Sequence, residues 1–433
     1  MKRSVSLVLA GLFSMSAWGA DLMSVYQDAL NHDARFTAAK AARVAGQEKV
    51  VQGRAGLLPG IGASASTTWN QNTYTGTDRN FNSNTVGVQL RQPLFNWGSW
   101  VQYREGELQT ALSEAQFELA RQDLILRVSQ AYFNVLNAQD SLASLKALHE
   151  AAGQQLALAK KSFEVGTVTI TDVHEAQSRF DLSSAQVIAA ENTLEVARQT
   201  LAQIIGDVPE GVQGLREGAS LAPPEPSDIN PWVDAAQQQS FGVQIQQIAT
   251  DIAEREVSRN RAGHLPTVDL VANYGQSNAG ATTFGSNRSE ITSRSIGLEL
   301  NVPIYQGGGV SSRTREAAAL LVKSQAELDD ARRSAALSAR QAYLGVTNGL
   351  AQVRALEAAR VSSRSALEAN QLGYEVGVRI NIDVLNAQSQ LADTEQQLAK
   401  ARYDTLLAQL RLKAAVGTLG EEDVAQLNAL LTQ

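Results

Sequence analysis

Two polarity periods alternate along this chain. Between 61 and 70, Ile61, Ala63, Ala65, Thr67 and Trp69 alternate with Gly62, Ser64, Ser66, Thr68 and Asn70. Alternation returns when Val86, Val88 and Leu90 face Gly87, Gln89 and Arg91. A period of two marks strands, so a β-hairpin is predicted over about 61–93. The polar, Asn- and Gly-rich stretch 70–84 between them predicts a loop. From Trp97 the period becomes helical and holds to Glu164 without a proline. About 65 residues at 1.5 Å each make roughly 100 Å of helix, which requires a coiled-coil partner. Val128, Ala131, Val135, Ala138, Leu142 and Leu145 step three and four in turn. The returning segment is more regular: Val173, Ala176, Phe180, Ser183, Val187, Ala190, Leu194, Ala197, Leu201 and Ile204. Large residues hold one seam position and small ones the other, which lets helices approach closely.

The same succession then runs a second time. Short helices at 22–30 and 33–54 precede the first hairpin, and one helix at 232–262 precedes the second. Arg54-Ala55-Gly56-Leu57-Leu58-Pro59 is echoed by Arg261-Ala262-Gly263-His264-Leu265-Pro266. Val268, Leu270, Ala272 and Tyr274, then Ile296, Leu298, Leu300 and Val302, alternate with polar residues. The expected organisation is a signal peptide at 1–20 and a first repeat at 21–218, with its β-hairpin at 61–93 and helical hairpin at 98–206. A proline-rich linker at 219–231 leads to a second repeat at 232–433, with β-hairpin 267–303, helical hairpin 308–416 and a short C-terminal helix. The fold class is a mixed α+β membrane protein: a long helical coiled coil plus four strands per chain, built as a tandem repeat.

The repeat is sharpest where each long helix turns back. Phe163-Glu164-Val165-Gly166 leads to Ile170-Thr171-Asp172-Val173, and Tyr374-Glu375-Val376-Gly377 leads to Ile382-Asp383-Val384 and Asn386-Ala387-Gln388-Ser389. The offset is 211 positions at both ends (163 to 374, 172 to 383). Gly166 and Gly377 fit a helix C-terminus, where a positive φ costs glycine little. Thr171, Asp172 and Asp383 sit where short polar side chains serve the exposed N–H groups of the return helix. Taken singly these are turns; their duplication marks them as a matched pair of hairpin tips.

Charge and composition narrow the function. The net charge is −7 and there is no cysteine. A chain with that balance and no basic run is a poor partner for nucleic acid. Lys2-Arg3, an apolar run over 5–13 and Ala17-Trp18-Gly19-Ala20 read as a secretory signal peptide, cleaved after Gly19 or Ala20. No later stretch reaches the ~18 apolar residues of a membrane helix. Apolar-out, polar-in strands in an exported chain fit an outer-membrane barrel, and a half-buried soluble sheet alternates in the same way. Strands of about ten residues favour the membrane, as do aromatic residues at their ends: Trp69, Tyr74, Phe95, Trp97, Trp100 and Tyr305. Four strands cannot close a barrel, so several copies must share one.

Chemistry of other kinds is missing from the pattern. His32, His149, His174 and His264 lack metal-ligand spacing. Gly307-Gly308-Gly309 lacks the Lys-Ser/Thr of a phosphate loop. No enzyme, metal or cofactor is expected. An exported structural or adhesive coiled coil is the alternative, which the paired β-hairpins disfavour.

The chain resembles the TolC family of outer-membrane factors, the trimeric channel-tunnels of Gram-negative bacteria, over its whole mature length. The resemblance rests on Leu22 to Tyr26, Ala131-Tyr132-Phe133-Asn134-Val135-Leu136-Asn137-Ala138, Gly263 to Leu270, Pro303-Ile304-Tyr305-Gln306-Gly307-Gly308 and Tyr374 to Asn386. It implies a homotrimer with a twelve-stranded barrel in outer-membrane lipid and a periplasmic helical tunnel. It also implies a periplasmic adaptor and an inner-membrane ABC or RND transporter as partners, for type I protein secretion or multidrug efflux. In the family, a Tyr and an Arg on one tip hold a Thr-Asp pair on the other until the tips untwist. Those residues match Tyr374, Arg379, Thr171 and Asp172. Of the two Asp rings at the family's constriction, the first matches Asp383 and the second falls on Asn386, a departure. The entrance is therefore expected to be less cation-selective and less readily blocked by multivalent cations.

Overall fold

A computed structural model describes residues 20–74, 77–209, 211–216, 218–280 and 288–431, together with all side chains among them except those of Tyr74 and Thr77. The expected signal peptide lies outside the described residues up to position 19. The chain forms two compact units, Ala39–Leu119 with Phe241–Arg333, and Met1–Ala38 with Ala120–Ser240 and Ser334–Gln433.

The first of these units holds the sheet: β1 (Gly60–Tyr74), β2 (Thr77–Phe95), β3 (Thr267–Ala279) and β4 (Ser289–Asn301), antiparallel throughout in that order. Of the stretch 70–84, expected as a loop, 70–74 and 77–84 are strand, and 75–76 lie outside the described residues. Asn70 lies opposite Phe81 and Tyr74 opposite Thr77. Its polar side chains bond across the ladder: Thr67 Oγ1 donates to Asn82 Oδ1 at 3.0 Å and Asn70 Nδ2 to Ser83 Oγ at 2.9 Å. Weak strand formers extend the hairpin because cross-strand pairing outweighs their own preference. On β4, Ile296 (76 % exposed), Leu298 (70 %) and Leu300 (64 %) alternate with residues that are exposed as well. Neither face of this strand is covered by the chain's own helices, as a half-buried soluble sheet would require. No described helix is long and apolar enough to cross a membrane.

Helices α2 (Ala34–Ala55) and α6 (Phe241–Arg261) lead into the strands, and α3 (Trp97–Glu164) and α7 (Gly309–Glu375) leave them. The helix expected at 232–262 is two, α5 (Ile229–Gln239) and α6, because Ser240 is extended (φ −61°, ψ 139°). Close approach of α2 to α3 depends on Gly106: a Cβ there would lie 2.6 Å from the Lys49 carbonyl oxygen. Nearby, Glu105 is buried against Arg259, whose Nη1 is 3.4 Å from Glu105 Oε2, while Arg259 Nη2 holds Glu256 at 2.6 Å.

The second unit is helical. It contains α1 (Leu22–His32), α4 (Ile170–Ile205), α5, α8 (Asn381–Ala415), α9 (Glu421–Asn428) and the distal parts of α3 and α7. The small seam positions Ala176, Ser183 and Ala190 are buried on α4, with Leu194 and Leu201. On α8 the seam buries Val384, Leu391, Leu398, Thr405 and Leu412. Tyr132 and Phe133 are among the unit's largest fully buried side chains. Tyr132 Oη donates to the Gln213 carbonyl at 2.7 Å, and the Phe133 ring stacks on Tyr403, centroids 5.6 Å apart. Tyr403 Oη donates to Asp140 at 2.5 Å; burial pushes the pKa of both groups up. Arg127 grips Asp33 through Nη1 (2.8 Å) and Nη2 (3.1 Å), and that hydrogen bond holds the Asp33 carboxyl below its ordinary range.

Candidate functional site

The two hairpin tips are built by the same local device. At the end of α3 the Thr167 N–H donates to the Ser162 carbonyl (2.9 Å) and Gly166 N–H to Phe163 (3.0 Å). At the end of α7 the Val378 N–H donates to Gly373 (2.8 Å) and Gly377 N–H to Tyr374 (3.1 Å). Gly166 and Gly377 both have φ of 77°. This paired closure satisfies the last carbonyls of each helix and needs one left-handed residue, which glycine supplies without strain.

The return helices start differently. Thr169 caps α4: its hydroxyl accepts from Asp172 N–H at 3.4 Å, and Asp172 Oδ2 accepts from Thr169 N–H at 2.8 Å and its Oγ1 at 2.7 Å. Asp172 thus closes a capping box. Ile380 caps α8 and has no side chain to offer. Asp383 instead lies 3.7 Å from Arg379 Nη1, with the two side chains 33 % and 58 % exposed. A solvated pair at that distance contributes about 0–1 kcal/mol, so a partner can break it readily. Gly373 leaves room for Arg379, whose Cγ would lie 2.7 Å from a Cβ there.

A cleft of about 950 Å³ separates the two tips. Asp172, Tyr374, Gly377 and Arg379 line it, and Thr169 and Asn381 complete its polar wall. Of the residues singled out from sequence, Asp172, Tyr374, Arg379 and Gly377 are therefore brought together. Thr171, Gly166 and Asn386 are exposed outside the lining, and Asp383 lies outside it half-buried. Arg379 pairs within its own hairpin through Asp383, and Asp172 within its own through Thr169.

Three residues of the site escaped the sequence reading. Thr169 was legible as the first member of a Thr-x-x-Asp capping box. Asn381 is buried (6 % exposed) and its Oδ1 has no hydrogen-bond partner among the described residues. Arg179 Nη2 donates to Asn386 Oδ1 at 3.0 Å, joining α4 to α8. Its sequence signal is faint: it follows Asp172 by one heptad and so shares its helix face. Among the described residues no group of three His, Cys, Asp or Glu is placed to hold a metal ion.

Comparison with known proteins agrees with this architecture. The sequence profile of the family described as "Outer membrane efflux protein" matches residues 25–207 and 232–418. The outer membrane protein TolC of Vibrio cholerae serotype O1 is 34 % identical over 434 residues, covering 99 % of this chain and 98 % of that one. The proteases secretion protein PrtF of Dickeya chrysanthemi is 33 % identical over 443 residues, covering 99 % and 95 %. The solved outer membrane channel CmeC of Campylobacter jejuni superimposes with a TM-score of 0.80 at 18 % identity, over 96 % of this chain and 90 % of that one. By name, these relatives are an outer membrane protein, a protease secretion protein and an outer membrane channel. The chain belongs to the outer membrane efflux protein family and is an exit duct of the outer membrane.

Proposed function

We propose that the duct is a homotrimer gated at its hairpin tips. The observation that carries this is the sheet. Four antiparallel strands leave β1 and β4 at open edges, with Ile296, Leu298 and Leu300 turned outward uncovered. In lipid an open edge leaves backbone groups without hydrogen bonds, at several kcal/mol each, so edges must be closed by other copies. Three copies supply twelve strands, within the range of known barrels, and six helical hairpins for the tunnel. The two halves 21–218 and 232–433 act in this reading as structural repeats joined by the linker 219–231. The linker is laced to the helices: Gln409 Nε2 donates to the Ala222 carbonyl and Trp232 Nε1 to Pro226.

In the closed state Tyr374 and Arg379 link to Thr171 and Asp172, directly across the cleft or from a neighbouring copy, and Asp383 with Asn386 lines the constriction. A periplasmic adaptor entering the cleft displaces the weak Arg379–Asp383 pair. Energy comes from an inner-membrane ABC or RND transporter, with type I protein secretion or drug efflux as the cargo route; the chain catalyses nothing itself. The test is single-channel conductance of the purified protein in planar bilayers, wild type beside Tyr374→Phe/Arg379→Ser. Small openings that grow several-fold in the variant are expected. Equal conductance of the two proteins would refute the tip gate.

A further inference from the structure

The hydrogen bond between Arg179 and Asn386 ties α4 to α8 across 207 residues of sequence. Both side chains are exposed, and Glu175, one turn back on the same helix, offers the guanidinium an in-helix partner. Arg179 reaches across to α8 instead. Its position follows Asp172 by seven residues, roughly 10 Å along α4, and Asn386 follows Asp383 by three, roughly 4.5 Å along α8. The bond therefore forms a second layer behind the tip residues, on the same helix faces.

We propose that Arg179 and Asn386 form a latch of the entrance gate and that the guanidinium offsets the charge of Asp383. This rests on the reading of the tips as the gate. Any movement of α8 away from α4 must break the bond. A charge-assisted hydrogen bond at an exposed site shifts an equilibrium about two- to tenfold. In a trimer opening in concert three such bonds multiply, giving about tenfold or more in the open fraction. Asparagine suits the role: it accepts the bond without adding a carboxylate, so the layer keeps Arg179's positive charge. The departure at Asn386 then supplies the acceptor that Arg179 engages.

The test uses the purified full-length channel in planar bilayers under a potassium chloride gradient. Arg179→Ala and Asn386→Ala should each raise the open fraction about tenfold or more, and the double variant should match the stronger single one. Asn386→Asp keeps the acceptor and should conduct no more than wild type. Arg179→Ala should also move the reversal potential toward cation preference, whereas Asn386→Ala, which keeps the charge, should not. Wild-type conductance from both alanine variants, with Tyr374→Phe/Arg379→Ser still opening the channel, would overturn the latch and leave the tip gate standing. Additive gains in the double variant would overturn it too. If Tyr374→Phe/Arg379→Ser also conducts like wild type, the tip gate fails and the latch with it.

Discussion

Replacing Glu105 by Gln removes a carboxyl whose proton is held by burial. The Glu105 side chain is 5 % exposed and its Oε1 has no hydrogen-bond donor among the described residues. Burial pushes its pKa from the ordinary 4.5 to about 7; Arg259 pulls it down and the Glu256 carboxylate pushes it up again. Desolvation also pushes Glu256 up, but the hydrogen bond and charge of Arg259, with hydrogen bonds from Asn260 and Glu105, together outweigh it and keep Glu256 below its ordinary value. One proton is thus retained on the pair in weakly acidic solution and is half lost near neutral pH. Because the folded pKa lies above the unfolded one, the folded state binds more protons between about pH 4.5 and 7. The stabilising contribution is complete below pH 4.5 and is lost as pH rises through 7. A rise from 4.5 to about 7, at about 1.4 kcal/mol per unit, makes that loss roughly 3 kcal/mol. Gln mimics the protonated carboxyl at every pH. Denaturant unfolding of the detergent-solubilised protein, followed by tryptophan fluorescence, should show wild type and Glu105→Gln alike at pH 4. At pH 8 the variant should be more stable by up to that amount. Parallel stability profiles from pH 4 to 8 would refute the assignment of a retained proton.

Two further substitutions probe packing and capping. Gly106→Ala places a Cβ 2.6 Å from the Lys49 backbone oxygen; α2 and α3 must part, at about 1–3 kcal/mol, and the melting temperature should fall while Gly62→Ala, in open space, leaves it unchanged. Asp172→Ala removes both bonds to Thr169 and should cost about 1 kcal/mol at the start of α4, read as faster amide exchange in its first turn; unchanged exchange there would discount the capping box.

The sequence by itself determined which elements exist and their order. Heptad spacing and strand alternation are local periods: Ala176, Ser183 and Ala190 are buried because residues seven apart share a helix face, whatever the helix packs on. Val268, Leu270 and Ile296, Leu298 likewise declare a strand face within a few residues. Boundaries set by pairing were less legible. The Asn-rich stretch 70–84 has the composition of a loop, and only the opposing strand, with Asn82 and Ser83 as partners, makes 70–74 and 77–84 β. The break at Ser240 carries no proline or glycine to announce it. The tertiary structure alone decided who meets whom at the tips. Arg379 faces Asp383 in its own hairpin, Asp172 is engaged by Thr169, and Arg179 finds Asn386 on a helix 207 residues away. The same holds for Glu105, an ordinary helical Glu in sequence, whose proton depends on burial and on Glu256 of α6, against the pull of Arg259. Periodicity fixes the face a residue occupies, while contact distance and burial depend on the helix brought against that face, which the chain specifies only through packing as a whole.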